Sequence, residues 1–195
     1  MQNIISDTPR GSKGIVRKFF VFLGYTLLAA LVVAVISHFV WKYSGSNEWE
    51  FDKEVDGVKV YTLKTPGSVL KKFKIVGVFR SKLAGIMKVM RDPDTCDDVG
   101  CVESYVIDKT NYPQFMHFTF KYPLPSPFKT REYVVLSEFR QDPQTKAIYV
   151  DFKAAPDRIP PNDGCCVRVR HMHDIWMYTP LPNGDVQVEF ILDID

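Results

Sequence analysis

Tyr122-Pro123-Leu124-Pro125-Ser126-Pro127-Phe128-Lys129-Thr130-Arg131-Glu132-Tyr133-Val134-Val135 is a proline-rich corner that opens into a strand. Each of Pro123, Pro125 and Pro127 fixes φ and removes a backbone donor, so this segment cannot continue a sheet ladder. From Arg131 the pattern turns β-branched and aromatic, which predicts a strand over 131–140. Upstream, Phe115 to Tyr122 has the same character. The whole reads as strand, rigid corner, strand. Large apolar side chains on both strands require a partner surface.

Working outward, the flanks supply further elements. Asp56-Gly57 is a hairpin turn signal between 48–55 and Val58-Lys59-Val60-Tyr61. Residues 70–79 read as a strand. Over 81–90, Leu83, Ile86, Met87 and Met90 fall on one helical face, with Ser81 as N-cap and Asp92-Pro93 as the stop. Residues 91–101 read as a loop, 102–108 as a strand and Asn111-Tyr112-Pro113 as a turn. Strands follow at 147–152, 175–181 and 186–195, with the Pro/Gly/Asp loop 153–164 and the Asn183-Gly184 turn between them.

These segments, in this order, resemble the START (steroidogenic-acute-regulatory-related lipid-transfer) domain over roughly 48–195. The resemblance rests on an early Trp49, Asp56-Gly57 before Val-x-Val-Tyr, and the Phe73-Lys74 segment. It rests further on the proline corner running into Arg131-Glu132-Tyr133-Val134, on Pro161 to Arg168, and on the strand ending Pro180-Leu181. One departure is Val99, near where many members carry a Trp. The resemblance implies an α+β helix-grip fold: a curved antiparallel sheet with few helices. It also implies a C-terminal helix across the sheet, which this chain, stopping at Asp195, is expected to lack. An uncovered sheet would leave on the order of several hundred Å² of apolar surface exposed. A truncated reading frame, a cover from another chain or membrane, and an open groove are the competing explanations.

The chain before this domain has a different character. Residues 1–18 carry Arg10, Lys13, Arg17 and Lys18 against Asp7, and Pro9, Gly11 and Gly14 predict an irregular cytosolic tail. Phe19 to Trp41 is 23 residues without a charge, long enough for a transmembrane helix or uncleaved signal anchor. A cleaved secretory signal is the alternative, with the domain then periplasmic or secreted. The cation bias places the N-terminus in the cytosol and the domain on the periplasmic or exoplasmic side. Residues 42–47 are a linker. Beyond residue 18 there are 21 basic against 22 acidic residues, no footprint for nucleic acid.

A START-like domain implies a lipid or other hydrophobic molecule in a sheet-lined pocket. Side-chain alternation selects the pocket-facing parity of each strand. On the corner strands it gives Met116, Phe118 and Phe120, then Tyr133, Val135, Ser137 and Phe139. Later strands give Trp176, Tyr178, Phe190 and Leu192. The hydroxyls of Ser137, Tyr133 and Tyr178 are the candidate orienting groups. Plain core packing is the competing reading of each. Some sterol-binding members of the family place an acidic–basic pair in the pocket. Phe118 and Ser137 occupy those places here, which argues against a sterol mode. Arg131 and Glu132 are expected to fix the corner.

Other chemistry has little support. His171-x-His173-Asp174 lacks an evident third metal ligand. Cys96 and Cys101 can form a small disulfide in an oxidising compartment, while adjacent Cys165 and Cys166 would point apart on a strand. No nucleophile elbow, phosphate loop or zincin motif occurs. No cofactor or catalytic residue is expected. A cyclase-type enzyme would need a buried acid or base in the pocket, and His117, the nearest candidate, lies on the wrong parity. The non-lipid alternative is an interaction module whose open sheet face docks a partner chain.

Overall fold

The computed structural model describes the backbone of residues 12–112 and 114–193. Residues 1–11 of the tail, Pro113 of the predicted turn, and Ile194 and Asp195 of the predicted last strand lie outside the described residues. The chain forms two units: residues 1–44 with 66–69, and residues 45–65 with 70–195.

The first unit is the helix α1, Ser12–Tyr43. It starts well before the apolar run, so Lys13, Arg17 and Lys18 sit on helix rather than in an irregular segment; Gly14 does not interrupt it. Its stretch from Val16 to Tyr43 is long and apolar enough to cross a membrane, with a mean hydropathy of 2.7 over an 18-residue window, none of which is buried. Near its C-terminal end the Trp41 indole donates to the Val69 carbonyl at 2.8 Å, and the Gly67 N–H donates to the Lys42 carbonyl at 2.8 Å.

The second unit is a sheet of ten strands. They are β1 Glu50–Val55, β2 Val58–Leu63, β3 Lys72–Phe79, β4 Glu103–Asp108, β5 Phe115–Tyr122, β6 Arg131–Gln141, β7 Ile148–Ala154, β8 Val167–Arg168, β9 His173–Pro180 and β10 Val186–Leu192. The order across the sheet is β1-β2-β3-β10-β9-β7-β6-β5-β4, with β8 pairing β6. All pairs are antiparallel except β6 with β8. The corner separates β5 from β6, which pair from Tyr122 opposite Arg131 to Phe115 opposite Glu138. Asp56 and Gly57 both take positive φ, 51° and 79°, as a tight β1–β2 hairpin requires.

A short helix, α2 Leu83–Arg91, starts one residue later than Ser81 as N-cap would set it. Lys82 is the N-cap and no side chain caps the end; the Ser81 hydroxyl turns to the Lys82 carbonyl instead, at 3.4 Å. Asp92 is extended (ψ 111°), as a residue before proline must be, and stops the helix. The polar segment after it is a 3₁₀ turn, Pro93–Val99, not an irregular loop. Cys96 and Cys101 are joined in a disulfide behind that turn.

Candidate functional site

Residues directly opposite in an antiparallel pair share a face of the sheet. Phe118 stands opposite Val135, which stands opposite Ala154. Met116 stands opposite Ser137, Ser137 opposite Phe152 and Phe152 opposite Asp174. Phe139, Val150, Trp176 and Phe190 make the next row. The register therefore brings Met116, Phe118, Phe120, Tyr133, Val135, Ser137, Phe139, Trp176, Tyr178, Phe190 and Leu192 onto one face. Val135, Ser137 and Tyr178 are buried and the rest half-buried.

Two covers meet this face at its ends. At one, α2 sets Met87, Leu83 and Ile86 against Ile148, Tyr178, Val186 and Val188. The Arg91 guanidinium lies 4.2 Å from the Phe139 ring and 5.5 Å from the Tyr112 ring. A groove of about 540 Å³ runs beside α2, lined by Ala84, Met87, Lys88, Arg91, Asp92 and Tyr112. None of the face candidates lines it. At the other end the segment after β8 brings Val169 and Met172 over Val135, Phe118, Phe120, Tyr133 and Phe152.

Aromatic stacking fixes the face between these covers. Trp176 and Phe190 stack with centroids 4.0 Å apart, and Phe120 stacks on Tyr133 at 4.6 Å. Besides Ser137 and Tyr133, the polar groups of Tyr178 and Asp174 interrupt the apolar lining. The Tyr178 hydroxyl is buried with no hydrogen-bond partner among the described residues, and burial pushes its pKa upward. Asp174 is only 4% exposed, and its carboxyl accepts one hydrogen bond, from the Asp193 N–H at 3.2 Å. Burial first, and the Asp193 charge after it, push the Asp174 pKa up to about 6 against that hydrogen bond. Sequence reasoning missed this acid. Its signal was present: Asp174 has the parity of Trp176 and Tyr178.

Glu132 points to the opposite face. It is buried and takes a hydrogen bond from Arg168 Nε at 2.8 Å and one from the Asn162 amide at 2.7 Å. Burial would raise its pKa, but these two donors outweigh burial and hold it low. Arg168 Nη1 also donates to the Pro156 and Ile159 carbonyls, each at 2.9 Å. The signature acid thus ties the 156–168 loop to β6, where the sequence alone has it fixing the proline corner. Arg131 takes a separate role, donating to the Lys129 carbonyl at 3.0 Å.

The histidines part company. His171 Nε2 lies 3.4 Å from Asp193 Oδ1, and His173 Nε2 lies 3.0 Å from Asp151 Oδ1. Among the described residues no three His, Cys, Asp or Glu side chains converge as a metal site would require. Cys165 and Cys166 are disulfide-bonded to each other. They precede β8 in a bend, so the alternation that would set strand neighbours apart does not apply.

No protein-family model and no curated protein matches the chain. Solved structures do. The STAR-related lipid transfer protein of Xanthomonas axonopodis is 23% identical with a TM-score of 0.68, the match covering 75% of this chain and 81% of that one. Human STARD10 is 14% identical with a TM-score of 0.66, over 80% of this chain and 64% of that one. Human StAR-related lipid transfer protein 5 is 14% identical with a TM-score of 0.63, over 87% and 83%. At these identities the likeness is one of fold. The sheet domain of this chain is START-like.

Proposed function

We propose that the sheet domain binds a lipid or similar hydrophobic molecule on the Phe118–Trp176–Phe190 face, and that α1 tethers it to a membrane. The observation that carries the reading is that face itself. It is broad, aromatic and half-buried, with covers at both ends and few polar groups, the composition of a ligand site. Apolar burial at about 25 cal/mol per Å² supplies the affinity. Neighbours in fold whose names record lipid transfer support it. The function is binding, with carriage or sensing of the ligand, and not catalysis.

The tether rests on the uncharged run of α1. Lys13, Arg17 and Lys18 precede it and Lys42 follows, which favours a cytosolic N-terminus and a domain on the periplasmic or exoplasmic side. Two disulfides suit that side.

Native mass spectrometry of the full chain, purified from membranes and followed by solvent extraction, tests the reading. A stoichiometric apolar molecule released from the folded protein is the expected result. A chain that is folded, empty and bound to a protein partner through the same face would replace ligand binding with an interaction role.

A further inference from the structure

Asp174 is out of place among its neighbours. It lies on the apolar face, in the row Met116, Ser137, Phe152, Asp174, with Trp176 two residues along the same strand. It is more than nine-tenths buried, yet no cation pairs with it, and the Asp193 N–H is its one hydrogen-bond donor among the described residues. The charged groups around it do not compensate. Asp193 adds a like charge, because Lys72 at 2.6 Å and His171 at 3.4 Å hold that neighbour's carboxylate against its own burial. Tyr133, which senses the Asp174 charge, supplies a neutral phenol.

A structural role alone does not account for the acid. Holding the Asp193 N–H where β10 leaves the sheet needs one carbonyl-type oxygen, which an asparagine offers without a buried charge. A buried carboxylate with a single neutral donor is costly unless something supplies further donors.

We propose that Asp174 receives the polar end of the bound apolar molecule and selects ligands that end in a hydrogen-bond donor, a hydroxyl or an ammonium, over those that end in a carboxylate. This rests on the lipid-binding reading of the face. The donor completes the Asp174 hydrogen bonding, the chain lies along Trp176 and Phe190, and a terminal carboxylate meets like charge beside half-buried aromatic side chains.

Binding of 1-dodecanol, dodecylamine and dodecanoate to the full chain in phosphatidylcholine nanodiscs, by calorimetry at about pH 8 with empty nanodiscs subtracted, tests it. The alcohol and amine are expected to bind at least about tenfold more tightly than the acid, the scale of one charged hydrogen bond. D174N keeps the acceptor for Asp193 and loses the charge; it is expected to close the gap to within about threefold. Equal affinities for all three probes in the wild-type chain overturn the proposal, as does a gap that D174N leaves intact; either leaves lipid binding standing. Failure of every probe to bind overturns both readings.

Discussion

Asp174 and Glu132 are both buried acids, and their opposite settings give opposite responses to pH. The Asp174 pKa is raised from 3.8 to about 6, so the folded chain binds a proton that the unfolded chain has released between those values. Stability from this group is therefore full below about pH 4 and falls as pH rises through about 6. D174N should raise the unfolding free energy of the unliganded chain above pH 6 by about 1–3 kcal/mol, with the gain vanishing near pH 4. Denaturant melts across that range check it. A gain that grows toward low pH would contradict the assignment. Glu132 has a lowered pKa, so its contribution is present above the ordinary glutamate range and is lost as pH falls. R168M leaves the buried Glu132 charge without its main partner and should cost about 3–5 kcal/mol in chemical denaturation. E132Q/R168M should cost less than R168M alone. At this scale the sequence disclosed the apolar face well, because period-two alternation is a direct consequence of strand geometry. It did not disclose which acids are buried. Glu132 meets Arg168 and Asn162 across a gap of some thirty residues, a partnership that only the β6–β8 pairing creates.

The hairpins and strands follow from local chemistry, so the corner, the Asp56-Gly57 turn and the Asn183-Gly184 turn were all legible. The 3₁₀ turn was not, since a polar run with Pro93 carries no period to read. The start of α2 also escaped. Ser81 is a good capping residue by type, but the helix begins beyond its reach, after Lys82. What holds α2 in place is its apolar stripe, with Met87 only 8% exposed against Ile148, Tyr178, Val186 and Val188. M87A should therefore destabilise the domain by about 2–5 kcal/mol in denaturant melts. If α2 instead sat loosely on the sheet, the loss would fall within about 0.5 kcal/mol, as at ordinary surface sites.

For the whole molecule the apolar helix α1 and the sheet domain are separable in sequence: one carries an uncharged run, the other is an alternating, turn-punctuated chain. The vicinal pair Cys165–Cys166 was hidden because its strand context was misjudged; the strand begins only at Val167. The START-like order of elements was legible from motifs spread along the chain. The polar group on its apolar face was missed, because the strand was read from Ile175 and Asp174, which shares the parity of Trp176 and Tyr178, fell just outside it; the strand in fact begins at His173. The most direct test of the central claim is photo-crosslinking of the full chain in membranes containing a diazirine-bearing phospholipid and a diazirine-bearing long-chain alcohol, with the labelled peptides mapped by mass spectrometry. Ligand binding on the sheet face predicts labelling on β5, β6, β9 and β10 at Phe118, Phe139, Trp176 and Phe190, in addition to α1. Labelling confined to α1, with the sheet face clear of both probes, would contradict it.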